Sequence, residues 1–474
     1  MTIFRCKPLS SIHTQQQDQQ LKRCLRWPHL VALGVGAIIG SGIYTLIGVG
    51  AHLAGPGLLL SFLVAGGICA CAALAYAEMA TLIPVAGSTY TYSYVTLGEP
   101  IAWIIGWSLI LEYTLVVSTA AVGWSGYFVG FINWLQSAFH WNLHLPVALL
   151  SGPGSGGVIN LPAVCITALV TCLLLRGIRE SATLNAFLVV SKITALILFV
   201  IIAFLHFKLY HLTPFMPYGF LQHEGPDNVK YGVMAASAIV FFAFYGFDAL
   251  STAAEETQNP GRNLSIGIIG SMVGCMIIYV LVSLAALGAV SFEEFSRSAE
   301  PLAFILQRVG SGWASAIIGI VAVVALPTVL LAFLYGQSRI FFVMARDGLL
   351  PQSLASVHPK SGMPVKMTVL TAVFVASLAA FARLDEIAAL ANAGTLIAFI
   401  AVSVCLLVLR VRAKELHRPF RAPCAWLIAP VAIGGCLYLF CNLPTRTQIG
   451  FAIWNLIGLS AYFAYGRRHS LCQY

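Results

Sequence analysis

Runs of about twenty apolar residues, parted by short polar or glycine- and proline-bearing turns, recur from Leu30 to Tyr465. Such a run is what an α-helix needs to cross the hydrocarbon core of a bilayer. The punctuation predicts spans over 30–53, 58–83, 101–134, 161–175 and 184–207, then over 232–252, 264–290, 313–344, 365–382 and 387–409. Two more follow over 425–441 and 448–465. The expected fold is therefore an all-α integral membrane protein of 12 transmembrane helices.

Composition agrees with that pattern. Of 474 residues 59% are hydrophobic and 9% charged, whereas soluble domains carry about 25% charged residues. A formal charge of +9 would suit a nucleic-acid binder if the basic residues gathered on one face. They are scattered through short loops instead, so no nucleic-acid partner is expected. Their placement reports topology, because cytoplasmic loops carry the excess of Lys and Arg. With the spans above, and with Arg339 and Lys366 near span ends counted to the adjoining loop, 19 of the 26 Lys and Arg fall on one side, 6 on the other, and Lys192 well inside a span. Both termini are then expected in the cytoplasm, in a cell inner (plasma) membrane. The densest cluster is Arg410, Arg412, Lys414, Arg418 and Arg421.

The polar, glutamine-rich residues 1–26 read as a cytoplasmic tail with no apolar run resembling a signal peptide. Residues 27–466 read as one transmembrane domain, and 467–474 as a second cytoplasmic tail. The twelve cysteines include no CxxC pair and several sit inside apolar runs, so packing rather than metal binding or disulfides is expected. No cofactor or metal site is expected.

Five spans are an odd number, so a second group of five enters the membrane in the opposite direction, as in inverted-topology repeats. Repeat one covers about 29–207, repeat two about 231–410, and the extra helices about 425–465. In each group the first span is interrupted. Corresponding breaks of this kind point to a transporter's binding site. Gly34, Gly36, Gly40, Ser41 and Gly42 fall inside one membrane run, although glycine costs about 1 kcal/mol relative to alanine in a helix. Irregular backbone is tolerated in a bilayer only where it is buried in protein or lines a cavity. A break there would present N–H groups at the positive end of a restarted half-helix, suited to a carboxylate. Close helix packing through small residues is the alternative reading of the same glycines.

The second break is expected near Tyr245, Gly246 and Asp248, where a glycine and an acid interrupt an aromatic run. Freed carbonyls of Phe242, Ala243 and Tyr245 would accept bonds from an ammonium group. Phe247 is a further candidate contact. Donors from one broken helix and acceptors from the other make a receptacle for a zwitterion.

Three ionisable groups lie deep in predicted spans, where charge is costly and functional by default. Lys192 sits about eight residues into its span, roughly 12 Å at 1.5 Å per residue, on a stripe with Ser181 and Asn185. Burial and neighbouring charge act oppositely on a lysine's proton affinity, so it can change with conformation. Lys192 is thus a candidate proton carrier or a static partner of Asp248 or Glu112. Asp248 and Glu112 are candidates for the same coupling. Glu78 reads as an ordinary interfacial carboxylate, and Glu255 with Glu256 as a gate or loop anchor.

Several motifs carry a family resemblance. They are Gly87-Ser88-Thr89-Tyr90-Thr91-Tyr92-Ser93-Tyr94-Val95-Thr96-Leu97-Gly98-Glu99, Gly106-Trp107-Ser108-Leu109-Ile110-Leu111-Glu112-Tyr113 and Gly246-Phe247-Asp248 with Ala254-Glu255-Glu256 and Asn259-Pro260. Met344-Ala345-Arg346-Asp347-Gly348-Leu349-Leu350-Pro351 and Arg418-Pro419-Phe420-Arg421 complete the set. Over nearly the whole chain they resemble the amino acid, polyamine and organocation transporter superfamily, and within it bacterial members of the cationic amino acid transporter family. The resemblance implies a five-plus-five inverted repeat similar to the bacterial leucine-transporter fold, plus two C-terminal helices. It implies that backbone around Ile38, Gly40, Ser41 and Gly42 holds an amino-acid head together with Phe242, Ala243 and Tyr245. It also implies that Lys192 replaces a coupling sodium, giving proton-coupled uptake. Tyr245 stands where relatives often carry a smaller aliphatic residue, and Ser265 where they often carry proline.

The expected function is secondary active amino acid transport by alternating access, with an amino acid, a proton and the lipid bilayer as partners. An exchanger or facilitator without proton coupling, or a non-transporting amino acid sensor, would use the same scaffold. No HExxH, GxSxG or paired-carboxylate constellation is present, so an enzyme is not expected. A channel would be expected to show pore-lining rings rather than two broken helices.

Overall fold

The computed structural model describes residues 6–7, 25–85, 87–140, 146–153, 156–176, 181–225, 229–254, 257–351, 353 and 365–470. Among these, ten helical stretches are long and apolar enough to cross a membrane, joined by two shorter apolar helices at Leu161–Leu175 and Val365–Phe381. The β structure among the described residues is a two-residue antiparallel hairpin, His223–Glu224 with Lys230–Tyr231, and an isolated parallel bridge between Leu25 and Thr257.

The first apolar run is divided into α1 (Trp27–Ile38), α2 (Ser41–Tyr44) and α3 (Leu46–Ala54). A 3-10 turn at Gly55–Gly57 then leads into α4 (Leu58–Leu82). A straight helix would put Gly50 and Leu58 about 12 Å apart. Here a Cβ on Gly50 would lie 2.6 Å from Leu58 Cδ1, so the chain folds back at this turn. The Gly87 motif folds as α5 (Ser88–Thr96), a helix the hydropathy pattern did not predict. It is followed by the long α6 (Glu99–Phe139), α7 (Leu161–Arg176) and α8 (Ser181–Leu205).

The second broken run comprises α9 (Val233–Val240), a 3-10 segment Phe241–Phe244, extended backbone at Tyr245, and α10 (Ala249–Thr252). Beyond it lie α11 (Pro260–Ala289), the short α12 (Phe292–Phe295) and α13 (Pro301–Arg308), and a pair split at proline, α14 (Gly312–Ala325) and α15 (Pro327–Arg346). The chain ends with α16 (Val365–Phe381), α17 (Leu384–Arg412), α18 (Ala425–Asn442) and α19 (Thr445–Ala461). Proline opens α11, α13 and α15, where its missing N–H has no helical partner to lose.

Burial separates centre from rim. In the second broken run 94% of the span is buried, against 22% in the last one, whose apolar side chains face outward. The broken runs pack with α4 and α11, while α6 packs with α15 and α17. The two breaks meet between these groups.

One end of the bundle is tied by ion pairs. Glu78, 1% exposed, accepts Arg410 Nε at 2.9 Å and Arg410 Nη2 at 2.5 Å, and it also accepts the Ala422 amide at 2.8 Å. Arg418 Nε lies 3.1 Å from the same carboxylate, and its Nη2 donates to Leu409 O and Ala413 O at the end of α17. Glu78 is therefore a buried anchor for the α17–α18 connection, which corrects its reading as an ordinary interfacial acid. Low dielectric and multiple donors make such a site costly to leave unpaired. At the same end, Lys7 Nζ pairs with Asp347 Oδ1 at 2.9 Å, and Tyr90 donates to Asp347 Oδ2 at 2.9 Å. Glu255 and Glu256 lie outside the described residues.

Candidate functional site

At the first break α1 stops at Ile38 and Gly40 takes φ −141°, ψ −150° before α2 begins. The N–H groups that open a helix have no partner within it, and here they belong to Ser41, Gly42 and Ile43. At the second break Gly246 has φ +121°, a conformation that favours glycine. A Cβ on Gly246 would lie 2.8 Å from the backbone carbon of Ala37 and 2.9 Å from Ile38 N. The two broken backbones thus touch without side chains between them. Gly42 makes the reciprocal approach to Ala243, whose Cβ would lie 2.7 Å from an added Cβ.

A cavity sits at this crossing, lined on one side by Ile38, Gly40, Ser41 and Gly42 and on the other by Phe242 and Tyr245. Val116 from α6 and Val329 and Phe333 from α15 close it with apolar surface, and among the described residues no charged side chain lines it. Its free volume is about 10 Å³, room for roughly one water. The Ser41 hydroxyl is buried without a hydrogen-bond partner among the described residues.

The proline split positions the cation next to this crossing. Pro327 cannot donate to Val323 O, and the indole of Trp124 fills that vacancy at 2.7 Å. Thr328, the next residue, donates to Ala325 O and accepts Lys192 Nζ at 2.8 Å. Lys192, 1% exposed, also donates to Gly36 O at 3.2 Å and Ile39 O at 3.0 Å. It therefore caps the carbonyl end of α1, where the helix dipole is negative. Tyr279 from α11 adds a bond to Ile38 O at 2.7 Å.

The model of the amino acid permease family matches residues 25–463. The chain belongs to that family. It is 46% identical to the branched-chain amino acid permease BcaP of Bacillus subtilis (strain 168), across 99% of this chain and 98% of that protein. The methylthioribose transporter of the same organism is 41% identical over 99% of both. The vacuolar cationic amino acid transporter 4 of Arabidopsis thaliana is 37% identical over 86% of this chain and 67% of its own length. These relatives are named as transporters and permeases, not as enzymes.

In this permease the expected residues separate into distinct places. Ile38, Gly40, Ser41, Gly42, Phe242 and Tyr245 share the cavity, and Ala243 backs Gly42. Phe247 does not line the cavity; its ring packs with Tyr76 and Phe399, centroids 5.7 and 5.1 Å away. Lys192 bonds neither Asp248 nor Glu112, so the static ion pair expected as one alternative is absent among the described residues. Asp248 instead accepts the Gly246 amide at 2.9 Å and the Tyr113 hydroxyl at 3.1 Å, which fixes the turn of the second break. Glu112 is fully buried with both oxygens unpartnered among the described residues, its Cβ against Gly394 of α17. The side chains of Ser181 and Asn185 lie outside the described residues.

Sequence reasoning missed Thr328, Tyr279 and Asn392. Asn392, buried in α17, accepts Tyr245 Oη at 2.9 Å and donates to Ala238 O and Ile239 O at 2.6 and 3.2 Å. An amide inside an apolar run was the available signal.

Proposed function

We propose that this permease is a secondary active transporter of neutral, apolar amino acids, with the substrate's charged head between the two breaks and its side chain against Val116, Val329 and Phe333. The observation that carries this reading is the cavity at the crossing of the two breaks, walled by Val116, Val329 and Phe333 and with no charged side chain in its lining among the described residues. A cationic side chain would lie there unpaired, at a cost of several kcal/mol. The similarity to a branched-chain amino acid permease supports the same choice. Because the free space is about 10 Å³, substrate entry must displace part of the wall, which suits alternating access through a closed intermediate.

Proton coupling at Lys192 belongs to the same proposal. Its three partners are neutral acceptors, so loss of its proton would release the end of α1 without creating an unpaired anion. Asp248 and Glu112 are the accompanying ionisable groups. The proposal also takes the protein as twelve spans in a five-plus-five inverted repeat, with both termini in the cytoplasm of a cell inner membrane. An exchanger, an uncoupled facilitator or a sensor would share the receptacle.

The similarity to a methylthioribose transporter favours a second substrate reading. Uptake into proteoliposomes separates these readings. Labelled leucine, isoleucine and valine should accumulate with an inward proton gradient, while lysine, arginine and methylthioribose should not. Accumulation of methylthioribose alone would replace the amino acid reading, and binding without flux would identify a sensor.

A further inference from the structure

The two breaks are held in chemically different ways. Lys192 of α8 binds the carbonyl end of α1 through an ammonium group that is able to lose its proton. Asn392 of α17 binds the carbonyl end of α9 through an amide that has no proton to lose at physiological pH. Helix ends leave such carbonyls unpaired unless a side chain or water reaches them. The Asn392 amide oxygen is then free to accept Tyr245 Oη. Every strong hydrogen-bonding direction of this buried side chain except a second acceptor lone pair is used.

Tyr245, one of the residues that line the cavity, donates its hydroxyl to Asn392 of α17. The ring is further confined by Phe242, with centroids 4.8 Å apart. From this geometry we infer that Asn392 is a positioning residue for substrate selection: it locks Tyr245 as a fixed wall that limits the size of the side chain accepted. The inference rests on the cavity being the substrate site. Asn392 does not line that cavity and acts through Tyr245 and the end of α9. With the lock in place the ring cannot rotate to admit an aromatic substrate. Cutting the lock frees the ring without emptying the site.

Tyr245→Phe keeps the ring and removes only the hydroxyl, so it tests the lock with the least disturbance. Asn392→Ala removes the same bond from the other side. Both variants and the double variant are purified in detergent, and leucine and phenylalanine are ranked by ligand-induced thermal shift and by competition against labelled leucine. The parent should prefer leucine. Each single variant should lower the leucine-to-phenylalanine preference about fivefold, the factor corresponding to one net hydrogen bond, and the double variant should change it no further. A merely structural role would lower the folded yield or weaken both ligands equally.

An unchanged preference in folded Tyr245→Phe overturns the inference even if Asn392→Ala fails to fold. So does a parent that takes phenylalanine as well as leucine. Loss of all binding in folded Tyr245→Phe would mean that the hydroxyl itself meets substrate, which also overturns it. Gly42→Val distinguishes this failure from failure of the site: normal binding in that variant removes the cavity from the transport cycle, whereas lost binding with an unchanged preference in Tyr245→Phe removes only the lock.

Discussion

Lys192 Nζ stands 3.0 Å from the carbonyl oxygen of Ile39, the residue between the end of α1 and the Gly40 break. A charged group on one helix thus secures the end of another at the point where substrate is proposed to bind. In the proposed coupling, loss of the Lys192 proton would loosen the end of α1, because a neutral amine is a weaker donor to these carbonyls than an ammonium group.

Lys192→Ala is expected to abolish uphill uptake driven by an inward proton gradient while retaining part of the binding, since the backbone receptacle persists. Lys192→Arg keeps the charge but cannot release a proton at physiological pH, so it should bind substrate and fail to accumulate it. Proteoliposome uptake with and without the gradient checks both. Full accumulation by Lys192→Arg, or parental uptake that follows sodium instead of protons, ends the coupling proposal.

Gly42→Val should abolish substrate binding in a folded, membrane-inserted protein. Its Cβ would stand only 2.7 Å from Ala243 Cβ, and overpacking of this sort costs about 1–3 kcal/mol. The added atoms would also enter the cavity that Gly42 lines. Size-exclusion chromatography establishes folding, and a ligand thermal shift measures binding; parental affinity would contradict the proposed receptacle.

Arg410→Ala should destabilise the protein by about 3 kcal/mol, the scale for removing one partner from a buried ion pair. Arg410→Lys should recover only part of that loss, because lysine lacks the planar fork that meets Glu78 through two nitrogens. Thermal unfolding in detergent at one pH measures both. Equal stability of Arg410→Ala and the parent would show that Glu78 tolerates losing this donor pair.

Reporters fused after Ser151 and after His358 should face opposite sides of the membrane. This follows from the five proposed spans between the two sites, the shorter apolar helix Leu161–Leu175 among them. The same side for both reporters would mean that an odd number of the spans between Ser151 and His358 has been misassigned.

Much of the architecture was legible because membrane insertion and helix breaking are local costs. An apolar run of sufficient length must find lipid or a core, and a glycine cluster inside it weakens the helix wherever the run ends up. Hence the apolar helices, the breaks at Gly40 and Gly246, and the meeting of Ile38, Gly40, Ser41, Gly42, Phe242 and Tyr245 around one cavity follow from features visible along the chain. The buried position of Lys192 was equally local. Its partners were not: Gly36 is 156 residues away and Thr328 is 136, and either an acid or a row of carbonyls would have satisfied the same ammonium group. Glu78 illustrates the same point, since Arg410 reaches it across 332 residues and turns an interfacial position into a buried one. Phe247 followed the aromatic cluster of Tyr76 and Phe399 rather than the cavity. The sequence by itself determined where the backbone breaks and which charges enter the membrane; only tertiary packing decided which groups meet them, because hydrogen bonds and ion pairs depend on distances of a few ångströms between helices far apart in the chain.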